Sequence, residues 1–163
     1  MPGGYRSDVH PPFPPLPTAS RYVRSYEGDP LVAQYENPYI RVHLTDFEGL
    51  PLVDVWGEVD LGTLPHLQRV LDEALGTGPK ALIIDLRKVT FIDSSGVGAL
   101  IGAKKRLLPF RGELYVVCGD DHVRRKLGIM KLASIMRLHP STEEALADAR
   151  EELRASRPGQ QPP

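Results

Sequence analysis

The sequence predicts one α/β domain, and three observations carry that reading. Apolar residues recur with two different periods, about 2 and about 3.6, in segments that alternate along the chain. Turn residues separate those segments, and one of them, Ala81-Leu82-Ile83-Ile84-Asp85-Leu86, is almost wholly apolar. Alternating strands and helices with such a run imply a parallel central strand covered on both sides.

The elements follow in order. Tyr39-Ile40-Arg41-Val42-His43-Leu44 alternates in and out, and Leu50-Pro51-Leu52-Val53-Asp54-Val55-Trp56 follows the turn-like Phe47-Glu48-Gly49, so the two form a hairpin. Leu64, Leu67, Leu71, Ala74 and Leu75 share one side of a helical wheel that Gly76 and Gly78 close. After the central strand, Val97, Leu100, Ile101, Leu107 and Leu108 mark a second helix beginning at Asp93-Ser94-Ser95-Gly96. Gly112 to Cys118 is a strand, Asp120 caps a short helix running through Leu127 to a stop at Gly128, and Ile135 to Leu138 is the last strand. Ser141-Thr142-Glu143-Glu144 is a capping box for a final helix with the stripe Ala145, Leu146, Ala149 and Leu153. The order β-β-α-β-α-β-α-β-α folds into a mixed, mostly parallel sheet with an antiparallel hairpin strand and helices mainly on one face.

That domain spans residues 37–154. Prolines at 2, 11, 12, 14, 15, 17, 30 and 38 crowd the start, and each removes an amide donor and fixes φ. Residues 1–36 therefore read as a proline-rich disordered arm, in which Phe13, Tyr22, Tyr26 and Tyr35 offer docking chemistry without declaring a target. Residues 155–163 read as a flexible tail with no apolar anchor.

Bulk charge names no partner. Lys plus Arg total 20 against 21 for Asp plus Glu, so no overall field draws the chain to nucleic acid or an anionic membrane. The apolar runs fall far short of the roughly 20 residues that span a bilayer, and Met1 to Pro17 lacks the apolar core of a signal peptide. A single cysteine, Cys118, in an apolar strand fits a reducing cytoplasm. His43, His66, His122 and His139 lie on different elements without ligand spacing, so neither metal nor cofactor is expected. Trp56, at the end of an apolar strand, reads as core. The basic triplets Lys104-Lys105-Arg106 and Arg124-Arg125-Lys126 read as solvated helical faces.

The segment with chemistry is Phe91-Ile92-Asp93-Ser94-Ser95-Gly96-Val97-Gly98, where the central strand region gives way to a helix. Two hydroxyls and a carboxylate stand beside the first amides of that helix, where its dipole favours an anion. Gly96 and Gly98 clear side chains from the approach to Ser94. Local chemistry alone leaves a plainer reading open, in which Asp93 or Ser94 is only an N-cap. Gly96, Gly98 and Gly102 are one residue too widely spaced for a dinucleotide loop. No histidine, lysine or carboxylate pair stands at a catalytic spacing around Ser94, so no enzyme is expected.

The string Val89-Thr90-Phe91-Ile92-Asp93-Ser94-Ser95-Gly96-Val97-Gly98-Ala99-Leu100, preceded by Ala81 to Leu86, resembles the STAS domain of bacterial anti-sigma-factor antagonists. Gly57-Glu58-Val59-Asp60 matches that family's G-x-hydrophobic-D element, and the resemblance covers nearly all of residues 39–154. It implies that Ser94, directly after Asp93, is the phosphoacceptor for a serine kinase that is itself the anti-sigma factor, with Ser95 a candidate second site. It also implies a phosphatase acting on Ser94, and a partner-binding surface of Asp60, Asp93, Ser94, Ser95, Gly96, Val97 and Gly98. Binding with Ser94 bare would release a sigma factor, and phosphorylation would reverse it. The alternative within the same fold is an accessory subunit docking on an ATPase of a lipid or anion transport system. Neither reading involves direct nucleic-acid contact or membrane insertion.

Overall fold

The structure, a computed structural model, describes residues 21–24, 31–119, 122–157 and 159. Among these, the strands β1 (Arg21–Arg24), β2 (Leu31–Glu36), β3 (Ile40–Phe47), β4 (Leu50–Val59), β5 (Ala81–Ile92), β6 (Glu113–Val117) and β7 (Arg137–His139) form one sheet in chain order. The helices are α1 (Leu64–Leu75), α2 (Ser94–Leu107), α3 (His122–Ile129) and α4 (Thr142–Ala155). Neighbours from β1 to β4 pair antiparallel, and from β4 to β7 parallel. The mixed sheet with an antiparallel hairpin is therefore present, and β1 and β2 lengthen its antiparallel side.

The hairpin turn is made at Glu48 and Gly49, both with positive φ (55° and 87°), a pattern whose twist suits the flanking strands. Asp46 Oδ1 accepts the Gly49 amide at 2.7 Å and closes it. Alternate strand residues then split between two cores. Val42, Leu44, Val53, Val55, Leu82, Ile84 and Val116 face α1, α2 and α3, while Leu52, Ile83, Tyr115 and Val117 face Ala145, Leu146 and Ala149 of α4. Coverage on both sides is why β5 begins as an unbroken apolar run.

Several sequence-based boundaries move. Residues 21–24 and 31–36 are strands, so the disordered arm expected over 1–36 does not hold there; residues 1–20 and 25–30 lie outside the described residues. Ala33 and Tyr35 of β2 are buried, their alternation hidden in the sequence by the flanking prolines. The short third helix runs to Ile129, so Gly128 lies inside it, and the left-handed residue beyond is Lys131 (φ 56°). Its expected cap, Asp120, lies outside the described residues. The last strand starts at Arg137 because residues 132–134 take a 3-10 turn first. At the final helix the Ser141 hydroxyl accepts the Glu144 amide at 3.2 Å, as the capping box requires. Of the tail, Arg157 and Gly159 are described beyond the helix's end region, and the other residues from 158 onward are not.

Candidate functional site

Asp93 stands where β5 ends and α2 begins, with the extended backbone (φ −99°, ψ −176°) of an N-cap. Its amide donates to the Val59 carbonyl at 3.1 Å, which ties the end of β5 to the end of β4. Its Oδ1 accepts the Ser95 amide at 2.9 Å, the Gly96 amide at 3.1 Å and the Ser95 hydroxyl at 2.5 Å. The Ser95 hydroxyl, followed by the Gly96 amide, holds the Asp93 carboxyl below the usual carboxylate range, and the Leu61 amide adds to the effect. The plain cap reading is thus met by this aspartate.

Its neighbours part company. Ser94 is exposed at the first turn of α2, and its hydroxyl makes no hydrogen bond among the described residues. Ser95 is half-buried and spends its hydroxyl on Asp93. Because the carboxylate already occupies the amides of Ser95 and Gly96, an anion on Ser94 would project outward beside Asp93 rather than sink into those donors.

Two residues expected at the partner surface are inside instead. Val97 is fully buried, and Gly96 is buried where a Cβ would lie 2.7 Å from both Ile92 Cγ1 and Val59 Cγ1. The start of α2 is pressed against the ends of β4 and β5, so Gly96 exists for that close approach and not to clear Ser94. Gly98 differs from both: it is exposed, and a Cβ there would meet nothing within 4 Å.

Asp60 does come beside the loop, through the turn that follows β4. Its Oδ1 accepts the Thr63 amide at 2.9 Å, while its own amide donates to Thr63 Oγ1 at 3.0 Å. The Thr63 hydroxyl also donates to the Glu58 carbonyl at 2.8 Å. Asp60 is therefore a builder of the turn into α1 as well as a half-buried carboxylate at the site. Gly57, at the head of the same motif, has φ +95°, and a Cβ would fall 2.2 Å from the Tyr39 carbonyl. No other residue fits there.

Three contributors escaped sequence reading. Leu61, between the two turns, is 74% exposed and leaves an apolar contact beside Ser94's loop. Thr63 carries no motif beyond its spacing from Asp60. Lys126 leaves the solvated face assigned to its triplet: Nζ donates to the Ile92 carbonyl and stands 5.4 Å from the centre of the exposed Phe91 ring. A basic triplet on a short helix was the only signal for it. Among the described residues, no group of three or more His, Cys, Asp or Glu side chains could hold a metal ion, and no helix is long and apolar enough to cross a membrane.

A mixed sheet with a capped, serine-bearing turn between β5 and α2 defines a class. Residues 41–145 match the STAS domain, and the chain belongs to that family. Its relatives bear the name of one branch. An anti-sigma-B factor antagonist of Staphylococcus aureus is 33% identical over 91 residues, 56% of this chain and 84% of that protein. The anti-sigma-F factor antagonist RsfB of Mycobacterium tuberculosis is 30% identical over 111 residues, 68% of this chain and 90% of the relative. The crystal structure of an anti-sigma factor antagonist from Mycobacterium paratuberculosis superposes with a TM-score of 0.65 at 31% identity, covering 68% of this chain and 94% of the other.

Proposed function

We propose that this chain is a partner-switching anti-sigma-factor antagonist acting in the cytoplasm, with Ser94 as its switch. With Ser94 bare, the turn and the exposed side of α2 bind an anti-sigma factor that is also a serine kinase, and its sigma factor is released. Phosphorylation of Ser94 ends that binding, and a phosphatase restores it. The observation that supports this most directly is the contrast between two adjacent hydroxyls: Ser94 is exposed and free of described bonds, whereas Ser95 is bound to Asp93.

The physics of release follows from the same geometry. A phosphoserine adds roughly −1.5 to −2 charges at neutral pH. Asp93 is ionised there, its carboxyl being held below its ordinary range, and its Oδ1 occupies the nearest helix amides. The new charge therefore builds on an existing one at the contact surface instead of being absorbed by the helix end. A partner fitted to a small neutral hydroxyl meets bulk and a strengthened negative field, and the domain itself need not rearrange.

Incubation with an anti-sigma-factor kinase and ATP, followed by mass spectrometry and a native-gel binding assay, tests the reading. Phosphate on Ser94 with loss of the complex is expected. Phosphate solely elsewhere, or a complex indifferent to it, refutes the switch.

A further inference from the structure

The near balance of charge over the whole chain hides a local excess. From His122 to His139 the sequence carries five Lys and Arg residues and no Asp or Glu. That stretch holds α3 and the 3-10 turn that follows it. Val123 and Leu127, four residues apart, are fully buried and seat α3 against β5, and Leu132 is buried just beyond the helix. Arg125 and Ile129, also four apart, therefore share its outer side. Ile129 is 82% exposed, and Met130, Ile135 and Leu108, the last just past the end of α2, are each at least 40% exposed. Large apolar side chains left so open mark a place of contact. Ile129 and Met130 line a groove of about 570 Å³ with Arg125 and Lys126, while Ile135 and Leu108 line another of about 550 Å³ with Lys105. Among the described residues Lys105, Arg125 and Lys131 form no ion pair, whereas Arg137 spends its charge on Asp148 and Glu152 of α4.

We propose that this face, from α3 to the turn before β7, rests on an anionic lipid surface. The charge is of one sign, which draws the face toward negative headgroups. The apolar side chains then choose among polyanions. Nucleic-acid phosphates have no use for four exposed aliphatic side chains, and neither groove is lined by a Phe, Tyr or Trp on which a base could stack. An acidic protein would need a socket shaped to Ile129, which stands proud of its helix. A bilayer's interfacial layer needs none, because it takes in projecting apolar side chains to a depth of about 5–10 Å whatever their shape. Arg125, Lys126 and Lys131, around Ile129 and Met130 in the chain, can lay their stems beside the acyl chains and keep their charges at headgroup level. Seating of this kind is peripheral and calls for no spanning helix. It is independent of Ser94 and would stand if the switch reading failed.

Sedimentation of the full-length chain with vesicles tests this. It should pellet with vesicles of equal parts phosphatidylcholine and phosphatidylglycerol, stay in solution with phosphatidylcholine alone, and be released as salt screens the headgroups. I129S/M130S and R125Q/K131Q should each weaken pelleting several-fold with far-UV circular dichroism unchanged, since all four side chains are exposed. R150Q/R154Q removes the same charge from α4, across the sheet from α3, and should pellet as the unaltered chain does. An environment-sensitive NBD dye on I129C should brighten on the anionic vesicles; the native Cys118 is buried and not expected to take the label. Equal pelleting with the two lipid mixtures, pelleting unmoved by I129S/M130S, a dye that stays dim, or R150Q/R154Q as damaging as R125Q/K131Q would each overturn the proposal. So would soluble polyglutamate that displaces the chain from vesicles at equal charge, because the face would then belong to an acidic protein.

Discussion

Ser95 and Asp93 are locked together by a 2.5 Å hydrogen bond from the serine hydroxyl to the carboxylate, and that bond decides which of two adjacent serines keeps an open hydroxyl. With Ser95 committed, the free hydroxyl at the start of α2 is that of Ser94.

The first prediction concerns the switch. Ser94→Ala should bind the anti-sigma factor and resist release by ATP, while Ser94→Asp should bind poorly, though it carries less charge than a phosphoserine. Ser95→Ala should still be phosphorylated on Ser94. Phosphopeptide mapping of the three variants checks all of this, and a phosphate that disappears only in Ser95→Ala would reverse the assignment.

Acid should weaken the cap. The Asp93 carboxyl lies below its ordinary value of 3.8 in the folded chain, so its charge stabilises the fold fully above that value. The contribution is lost as pH falls through the depressed folded value, where the native carboxylate takes up a proton. Asp93→Asn keeps a capping side chain without the charge. Its thermal midpoint should lie below that of the unaltered chain at pH 7, and the gap should close as the pH falls through the depressed folded value. A gap that is constant with pH would show that charge is not what the cap contributes.

Gly96 and Gly98, two residues apart, should respond oppositely to the same substitution. Gly96→Ala drives a methyl into Ile92 and Val59, both stiff β-branched side chains, and should destabilise by about 1–3 kcal/mol. Gly98→Ala meets open space in a helix and should be neutral or stabilising by about 0.5–1 kcal/mol. Chemical denaturation measures both. Partner affinity, measured alongside, should fall in Gly98→Ala if that side of α2 is the contact surface.

A fourth prediction lies away from the switch. The buried Thr142 hydroxyl donates to Asp85 Oδ2 at 2.9 Å, and Arg87 grips the same carboxylate at 2.7 Å, so the start of α4 is pinned to β5. Thr142→Val keeps the shape and removes one bond from a buried carboxylate, at a cost of about 1–3 kcal/mol by urea unfolding. Partner binding should be unaffected. A loss under 0.5 kcal/mol would mean that Arg87 alone satisfies Asp85.

How much of this was readable in the chain depended on whether the cause was local. The two periods, the Glu48-Gly49 turn, the Ser141 cap and a helix start at Asp93-Ser94 are set by residues a few positions apart, and each was legible. Strand β2 was not, because its flanking prolines argue for an irregular chain, and only pairing with β3 shows that Ala33 and Tyr35 have somewhere to be buried. The site divides along the same line. Asp93-Ser94-Ser95 announces a helix start bearing hydroxyls, but which hydroxyl is free depends on a side-chain rotamer and a bond, not on composition.

Gly96 and Val97 mark where local reasoning failed. From the chain alone, a glycine after two serines reads as clearance for an approaching molecule. Packing turned it inward, because the amide of Asp93 is tied to Val59 and brings the first turn of α2 down onto β4 and β5. The element order from β3 onward and the start of each capped helix followed from short-range preferences of the backbone. Which side of each element meets solvent followed from long-range strand pairing and close packing, and those forces chose Ser94 and Gly98 for the surface and Ser95, Gly96 and Val97 for the fold.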